Sequence, residues 1–278
     1  RSTQAKTLFP YTTLFRSPYY GIFAGCNSFP NVPGHDLRGC ISDAHRMHAT
    51  ITAAFGEPVR YRILPDPTKA EFLAALTTAR EMAVAGLVKY VDVSISTHGT
   101  WISSGSKDNA CTALVFSDAT PNGQGLLPDW QLHEVLNSFP KDCIVEFWAD
   151  TCHSGTITRD AGFGVTTYPR PIPRSIPASV FAPQPSQRIR TGRGLKTLSR
   201  GAETGQGSNI VAWGGCRDAE ESADAPDGNG GFCGAFTRAW CDVFNENRNL
   251  SRWQMLPLVT SALAESGFPN QHPTLSAQ

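Results

Sequence analysis

Short apolar runs alternate with amphipathic stretches through the first half of the chain, and that alternation admits few folds. Residues 19–26 (YYGIFAGC) predict a buried strand. Residues 43–55 carry Met47, Ile51 and Phe55 at helical spacing, with Asp43 near the start and Gly56 at the end. A second strand is predicted over 59–64, a helix over 69–87 with an apolar stripe through Phe72, Leu76, Ala79 and Ala83, and a third strand over 88–96. Residues 113–116 and 143–147 read as further strands and 130–136 as a short helix. Strands alternating with helices predict a mostly parallel central sheet covered on both faces, an α/β sandwich of three layers. In such sheets chemistry gathers beyond the carboxyl ends of the strands. Two segments break off in polar residues at that edge: SISTHGT at 94–100 and FWADTCHSGT at 147–156.

The second half changes character. Residues 168–200 are rich in Pro, Ser and Arg, hold no Asp or Glu, and carry Arg170, Arg174, Arg188, Arg190, Arg193, Lys196 and Arg200. Such a stretch is too polar and proline-broken for a core element, so it reads as a mobile loop or linker. Order resumes with a strand at 210–213, then helices at 234–244 and 253–266. The expected division is a large part over 18–165, a basic linker over 166–208 and a small part of the same domain over 209–278. Residues 1–17 are set aside: TLFPYTTLFRS at 7–17 is the translation, in one frame, of a common short-read sequencing adapter.

Composition narrows the function classes. The chain has 278 residues, and its 24 basic and 24 acidic side chains cancel, which argues against binding nucleic acid or anionic membrane by bulk charge. No apolar run approaches the roughly 20 residues of a membrane span. Eight cysteines lie without a CxxC pair or zinc-like spacing, which favours reduced thiols in a cytoplasmic setting.

His98 and Cys152 are each followed by small, flexible residues at a strand end. A thiolate nucleophile, an imidazole and backbone N–H donors for an oxyanion are what a cysteine peptidase needs. If extended geometry persists, Ser96 shares a face with His98, and Asp150 with Cys152. A carboxylate beside the nucleophile suits a cationic substrate side chain.

The order His-Gly, then Asp-Thr-Cys-His-Ser-Gly, resembles the metacaspases of the caspase-like cysteine peptidase clan. Gly39-Cys40-Ile41-Ser42-Asp43-Ala44, Gly215-Cys216-Arg217-Asp218 with Ser222-Ala223-Asp224-Ala225, Gly234-Ala235-Phe236-Thr237 and residues 271–276 extend the likeness over nearly the whole native chain. The resemblance implies His98 and Cys152 as a dyad, the backbone N–H groups of Gly99 and Cys152 as oxyanion donors, and an acidic S1 pocket from Cys40, Asp43, Ser96 and Asp150. It thereby implies cleavage of proteins or peptides after Arg or Lys, by a monomer, with no cofactor for the chemistry. It also implies calcium (Ca2+) as an activator, for which Asp108, Asp129 and Asp160 are the candidates, although the segment after His98 lacks the family's acidic density. Thr97 departs from the family, where Gly commonly precedes the histidine. An enzyme selecting basic residues is expected to cut itself in the linker, at Arg188, Arg190, Arg193 or Lys196. His153 is expected to be structural.

Three rivals stand against this reading. A catalytically silent caspase-like scaffold conflicts with intact His98, Cys152 and pocket residues. A cysteine phosphatase would use Cys152 and Arg159, but six residues separate them where a phosphate loop has five. A zinc site from His98, Cys152 and His153 lacks a fourth ligand.

Overall fold

In the computed structural model, residues 18–102, 111–152, 171–181, 209–217 and 220–277 are described. Six strands form the central sheet: β1 (Tyr19–Gly25), β2 (Arg60–Pro65), β3 (Tyr90–Ser96), β7 (Ile144–Asp150), β9 (Ile210–Gly214) and β12 (Thr274–Ala277), in the order β12-β9-β7-β3-β1-β2. All neighbours run parallel except the edge pair β12 and β9. β1 and β3 are buried along their whole length, as a parallel sheet covered on both faces requires. The sheet therefore takes strands from both sides of the basic stretch.

Helices α1 (Cys40–Phe55), α4 (Ala235–Glu246) and α5 (Arg252–Glu265) cover one face, where Phe23, Trp148 and Trp213 of the sheet share a core with Trp240 of α4. The other face carries α2 (Lys69–Val84) and α3 (Asp129–Asn137), where Ile22, Val93 and Phe147 of the sheet share a core with Phe72 of α2. This is the expected three-layer sandwich. α2 starts where a capping box forms between Thr68 and Glu71, and α5 where Ser251 and Gln254 do the same. None of the helices among the described residues is long and apolar enough to cross a membrane.

α1 begins three residues before Asp43, and the cause is tertiary. The Asn27 side chain accepts from the N–H of Cys40 at 2.8 Å, satisfying an end that Gly39 cannot cap. Local sequence carries no sign of this. Two smaller sheets accompany the central one, and of these the sequence anticipates only the strand at 113–116: β4 (Gly99–Ile102), β5 (Cys111–Val115) and β6 (Leu126–Pro128) form one, and β8 (Ile172–Pro173), β10 (Ala223–Pro226) and β11 (Phe232–Gly234) the other. The other strands, of two to four residues, are too short to show a period.

Polar residues run up one face of the central strands. At its lower end Glu146 accepts from Arg252 Nε at 2.9 Å and Trp213 Nε1 at 3.0 Å, and Tyr90 also donates to it. Burial, with the Glu146 carboxylate alongside, pushes the Asp92 carboxyl well above the usual range. Removing one partner of a buried ion pair leaves the other uncompensated, so Arg252→Met is expected to cost about 3–5 kcal/mol, read as a lower denaturant midpoint. A midpoint matching the parent chain would show that the network contributes little.

Candidate active site

The upper end of the same polar column is acidic. Ser96 ends β3 and Asp150 ends β7, and the parallel register sets these residues opposite each other. α1 brings Asp43 over them. Asp43 Oδ2 accepts from Ser96 Oγ at 2.6 Å and its Oδ1 from the Gly234 N–H at 2.8 Å. Asp150 Oδ2 accepts from the Thr237 N–H and hydroxyl at 3.0 and 2.7 Å, in the first turn of α4, where the helix dipole favours an anion. Its Oδ1 takes the Ser222 hydroxyl at 2.5 Å. A third carboxylate, Asp224 of β10, accepts from the N–H groups of Arg38 at 2.8 Å and Gly39 at 3.0 Å.

Arg174 fills the space between these acids and is wholly buried. Its Nη2 lies 2.7 Å from Asp43 Oδ2 and 2.9 Å from Asp224 Oδ1; its Nη1 lies 3.2 Å from Asp150 Oδ2 and donates to Ser96 Oγ. Gly234 leaves the room this requires, because a Cβ there would stand 2.0 Å from Asp150 Oδ2 and 2.7 Å from Arg174 Nη1. Burial alone would weaken the guanidinium's charge, but Asp150, Cys40, Asp43 and Asp224 together hold its pKa well above the ordinary value. Three carboxylates around one cation leave a negative surplus. Burial pushes the Asp43 carboxyl to about 6, Arg174 opposes the shift and Asp150 adds to it. Cys40 is buried at the start of α1; burial drives its thiol well above the usual range while Arg174 pulls the other way.

The backbone of Arg174 lies at a second set of expected residues. Its carbonyl oxygen accepts from the Gly99 N–H at 2.9 Å and the Cys152 N–H at 3.3 Å. Its own N–H donates to Ser222 O at 3.0 Å. Cys152 is fully buried; its Sγ accepts from the Ser222 N–H at 2.8 Å and lies 3.2 Å from Ser222 O. His98 Nε2 lies 2.6 Å from His35 O, and its ring packs on Phe29 with centroids 4.9 Å apart. Burial pushes the imidazole down to about 4, against smaller raising effects from the His35 and Arg174 backbones. The ring is therefore neutral at pH 7. In this arrangement no hydrogen bond joins His98 to Cys152: His35 O takes the ring's Nε2 and Ser222 the sulfur, while His98 Nδ1 is buried without a hydrogen-bond partner.

Strand alternation does not reach either residue, because β3 stops at Ser96 and β7 at Asp150; the loops beyond set His98 and Cys152. Gly99 has no room for a side chain: a Cβ there would stand 1.6 Å from Cys152 O. Thr97 is accommodated in the core, with its hydroxyl donating to Val115 O.

Of the stretch read as a basic linker over 166–208, residues 171–181 are described, and they carry Arg174 into the acidic site. Composition argued against a core element there, yet the segment is held by buried Arg174, by edge pairing, and by Ile176 and Phe181, which join the apolar core. Arg188, Arg190, Arg193 and Lys196 lie outside the described residues, as do Asp108, Asp160, His153 and Arg159. Asp129 is described, buried in the first turn of α3, and accepts from the Thr112 hydroxyl at 3.0 Å. Among the described residues, no group of three or more His, Cys, Asp or Glu is placed to hold a metal ion. All eight cysteines are free of disulfides. Sequence reasoning assigned no pocket role to Asp224, whose signal was its place in the Ser-Ala-Asp-Ala word, and did not find Arg174 as an occupant.

A family model described as the caspase domain, Peptidase C14, matches residues 22–278. The chain belongs to this family of cysteine-type peptidases, which are hydrolases. Within it the chain is of metacaspase type. Metacaspase-9 of Arabidopsis thaliana is 27% identical over 307 residues, covering 91% of this chain and 92% of that protein. Metacaspase-1 of Yarrowia lipolytica is 25% identical over 292 residues, covering 92% of this chain and 60% of that protein. Two solved structures share the fold. Protein GSU0716 of Geobacter sulfurreducens has TM-score 0.62 at 20% identity, covering 93% of this chain and 92% of its own. Caspase-1 of Spodoptera frugiperda has TM-score 0.61 at 11% identity, covering 100% and 95%.

Proposed function

We propose that this chain is an endopeptidase that cuts after arginine or lysine, with Cys152 as nucleophile and His98 as proton carrier, and that it cuts itself after Arg174. The carrying observation is Arg174 itself: a guanidinium among Asp43, Asp150 and Asp224, with its carbonyl oxygen facing the N–H groups of Gly99 and Cys152. That is how a substrate residue before the cut would sit. Desolvated positive charge must be paired, and fixed carboxylates supply the pairing. A planar guanidinium can meet several acids at once, where an ammonium is a point charge, so arginine is expected to be preferred to lysine. All these residues come from one chain, so a monomer suffices.

In this reading His98 takes the Cys152 thiol proton as the sulfur attacks the scissile carbonyl carbon, and the oxygen takes up charge facing the Gly99 and Cys152 N–H groups. The Ser222 N–H, already donating to the sulfur, stabilises the thiolate. His98 gives the thiol's proton to the departing amine, then takes one from the water that hydrolyses the thioester and passes it to the leaving sulfur, restoring the free thiol. Its Nε2 stays on His35 O, and the proton is carried by Nδ1, which is buried without a hydrogen-bond partner. While Arg174 fills the pocket, other substrates are kept out.

Calcium activation is part of the same proposal, but the described residues do not fit the ion. Calcium takes six to eight oxygens, and Asp129, the one candidate acid described, is engaged by Thr112. No catalytic step is routed through it.

The test is N-terminal sequencing of fragments from the purified chain, incubated with and without calcium. A fragment beginning Ser175-Ile176-Pro177 is expected, and Arg174→Ala should remove it while speeding hydrolysis of a small arginine substrate. Cleavage only at Arg188, Arg190, Arg193 or Lys196 would assign Arg174 to inhibition alone. A chain that remains whole and splits no arginine peptide would contradict the proposal.

A further inference from the structure

We infer that the cleft has a built subsite on the far side of the scissile bond, which takes an aliphatic side chain two residues after the cut. The inference rests on the reading of Arg174 as the residue before the cut, which makes Ser175 the first residue after it and Ile176 the second.

The two sides of this bond are held differently. Before it, Ile172 and Pro173 pair with Asp224 and Ala223 of β10, yet Pro173 is exposed and Ile172 only half-buried. Beyond it, Ser175 bridges Gly99 in parallel, the Ile176 N–H donates to Gly99 O at 3.1 Å, and the buried Thr100 hydroxyl donates to Ile176 O at 2.8 Å. Both backbone polar groups of Ile176 are thus satisfied by β4, the pattern of a peptide added to a sheet edge. Main-chain pairing gives hold, and the alternate side chain that points inward gives selectivity. Here that side chain is Ile176, with no exposed surface, in the same apolar cluster as Ile102, Leu114 and Phe181.

A substrate that displaces the resident segment must leave this pocket filled or empty. An aliphatic residue fills it; a charged one would be buried without a partner. The enzyme is therefore expected to prefer Arg-Ser-Ile over Arg-Ser-Ala, and to reject Arg-Ser-Asp. Selection by this route acts on proteins and on peptides extending past the cut, and is invisible to substrates that end at arginine.

The test uses the full chain and internally quenched peptides of sequence Ile-Pro-Arg-Ser-X-Pro, with X as Ile, Ala or Asp, beside Ile-Pro-Arg-aminomethylcoumarin. Competition from the chain's own segment scales every kcat/KM equally, so the ratios between peptides are unaffected. Ile over Ala is expected at about tenfold or more, from the transfer of an aliphatic side chain out of water, with Asp lower again. Cleavage of the coumarin peptide together with rates for Ile, Ala and Asp within about twofold of one another would overturn the subsite and leave the arginine reading standing. Failure to cleave any of the four would sink both.

Discussion

Cys152→Ala is expected to end hydrolysis of arginine peptides, lowering kcat/KM by at least about 10⁴-fold, and to leave the chain uncut after Arg174. The sulfur is the only group in this arrangement that the proposed chemistry gives to covalent attack. The Gly99 N–H and the pocket acids survive the substitution, so the variant should still bind arginine compounds. Loss of turnover with retained binding separates a missing nucleophile from a damaged fold. A thermal midpoint close to the parent's completes the control, since the side chain lost is small. Turnover within tenfold of the parent would show that some other group attacks.

Asp150→Asn is expected to lower kcat/KM for arginine peptides by about 10²- to 10³-fold, the cost of leaving a buried guanidinium short of a charge. Asp150 heads the attractive influences on Arg174 and orders its own surroundings by accepting from Ser222 and Thr237. The amide keeps the shape, donates where Ser222 and Thr237 also donate, and carries no charge. The loss should be steepest for arginine, so hydrolysis of a peptide with a neutral residue before the cut should change far less. An equal loss on both would mean that Asp150 supports the cleft as a whole. No loss on either would remove it from the pocket.

How far the sequence disclosed this molecule can be seen residue by residue. The central strands and the helices that cover them follow from apolar runs and spacing, because burial on both faces leaves little room for polar residues. Two interruptions, SISTHGT and FWADTCHSGT, marked the strand ends where Ser96 and Asp150 now stand side by side. What escaped was non-local. α1 starts at Cys40 because Asn27, thirteen positions away, caps it. Asp224 joins the acids through N–H groups about 185 residues earlier in the chain. Arg174 looked like one more cation in a stretch of seven, and nothing in its neighbours announces that three carboxylates enclose it. Composition describes the average of a segment; it cannot say what one of its side chains meets, as Arg174 among the acids and Ile176 in the apolar core both show.

The most direct measurement is hydrolysis of three fluorogenic peptides, alike except for Arg, Lys or Asp before the cut, by the unmodified chain with and without calcium. The structure predicts turnover of the arginine peptide, less of the lysine peptide and none of the aspartate peptide, whichever way the calcium arm falls. Preference for aspartate, or no turnover of any peptide by folded chain, would contradict the assignment of Asp43, Asp150 and Asp224 as a pocket for a cation.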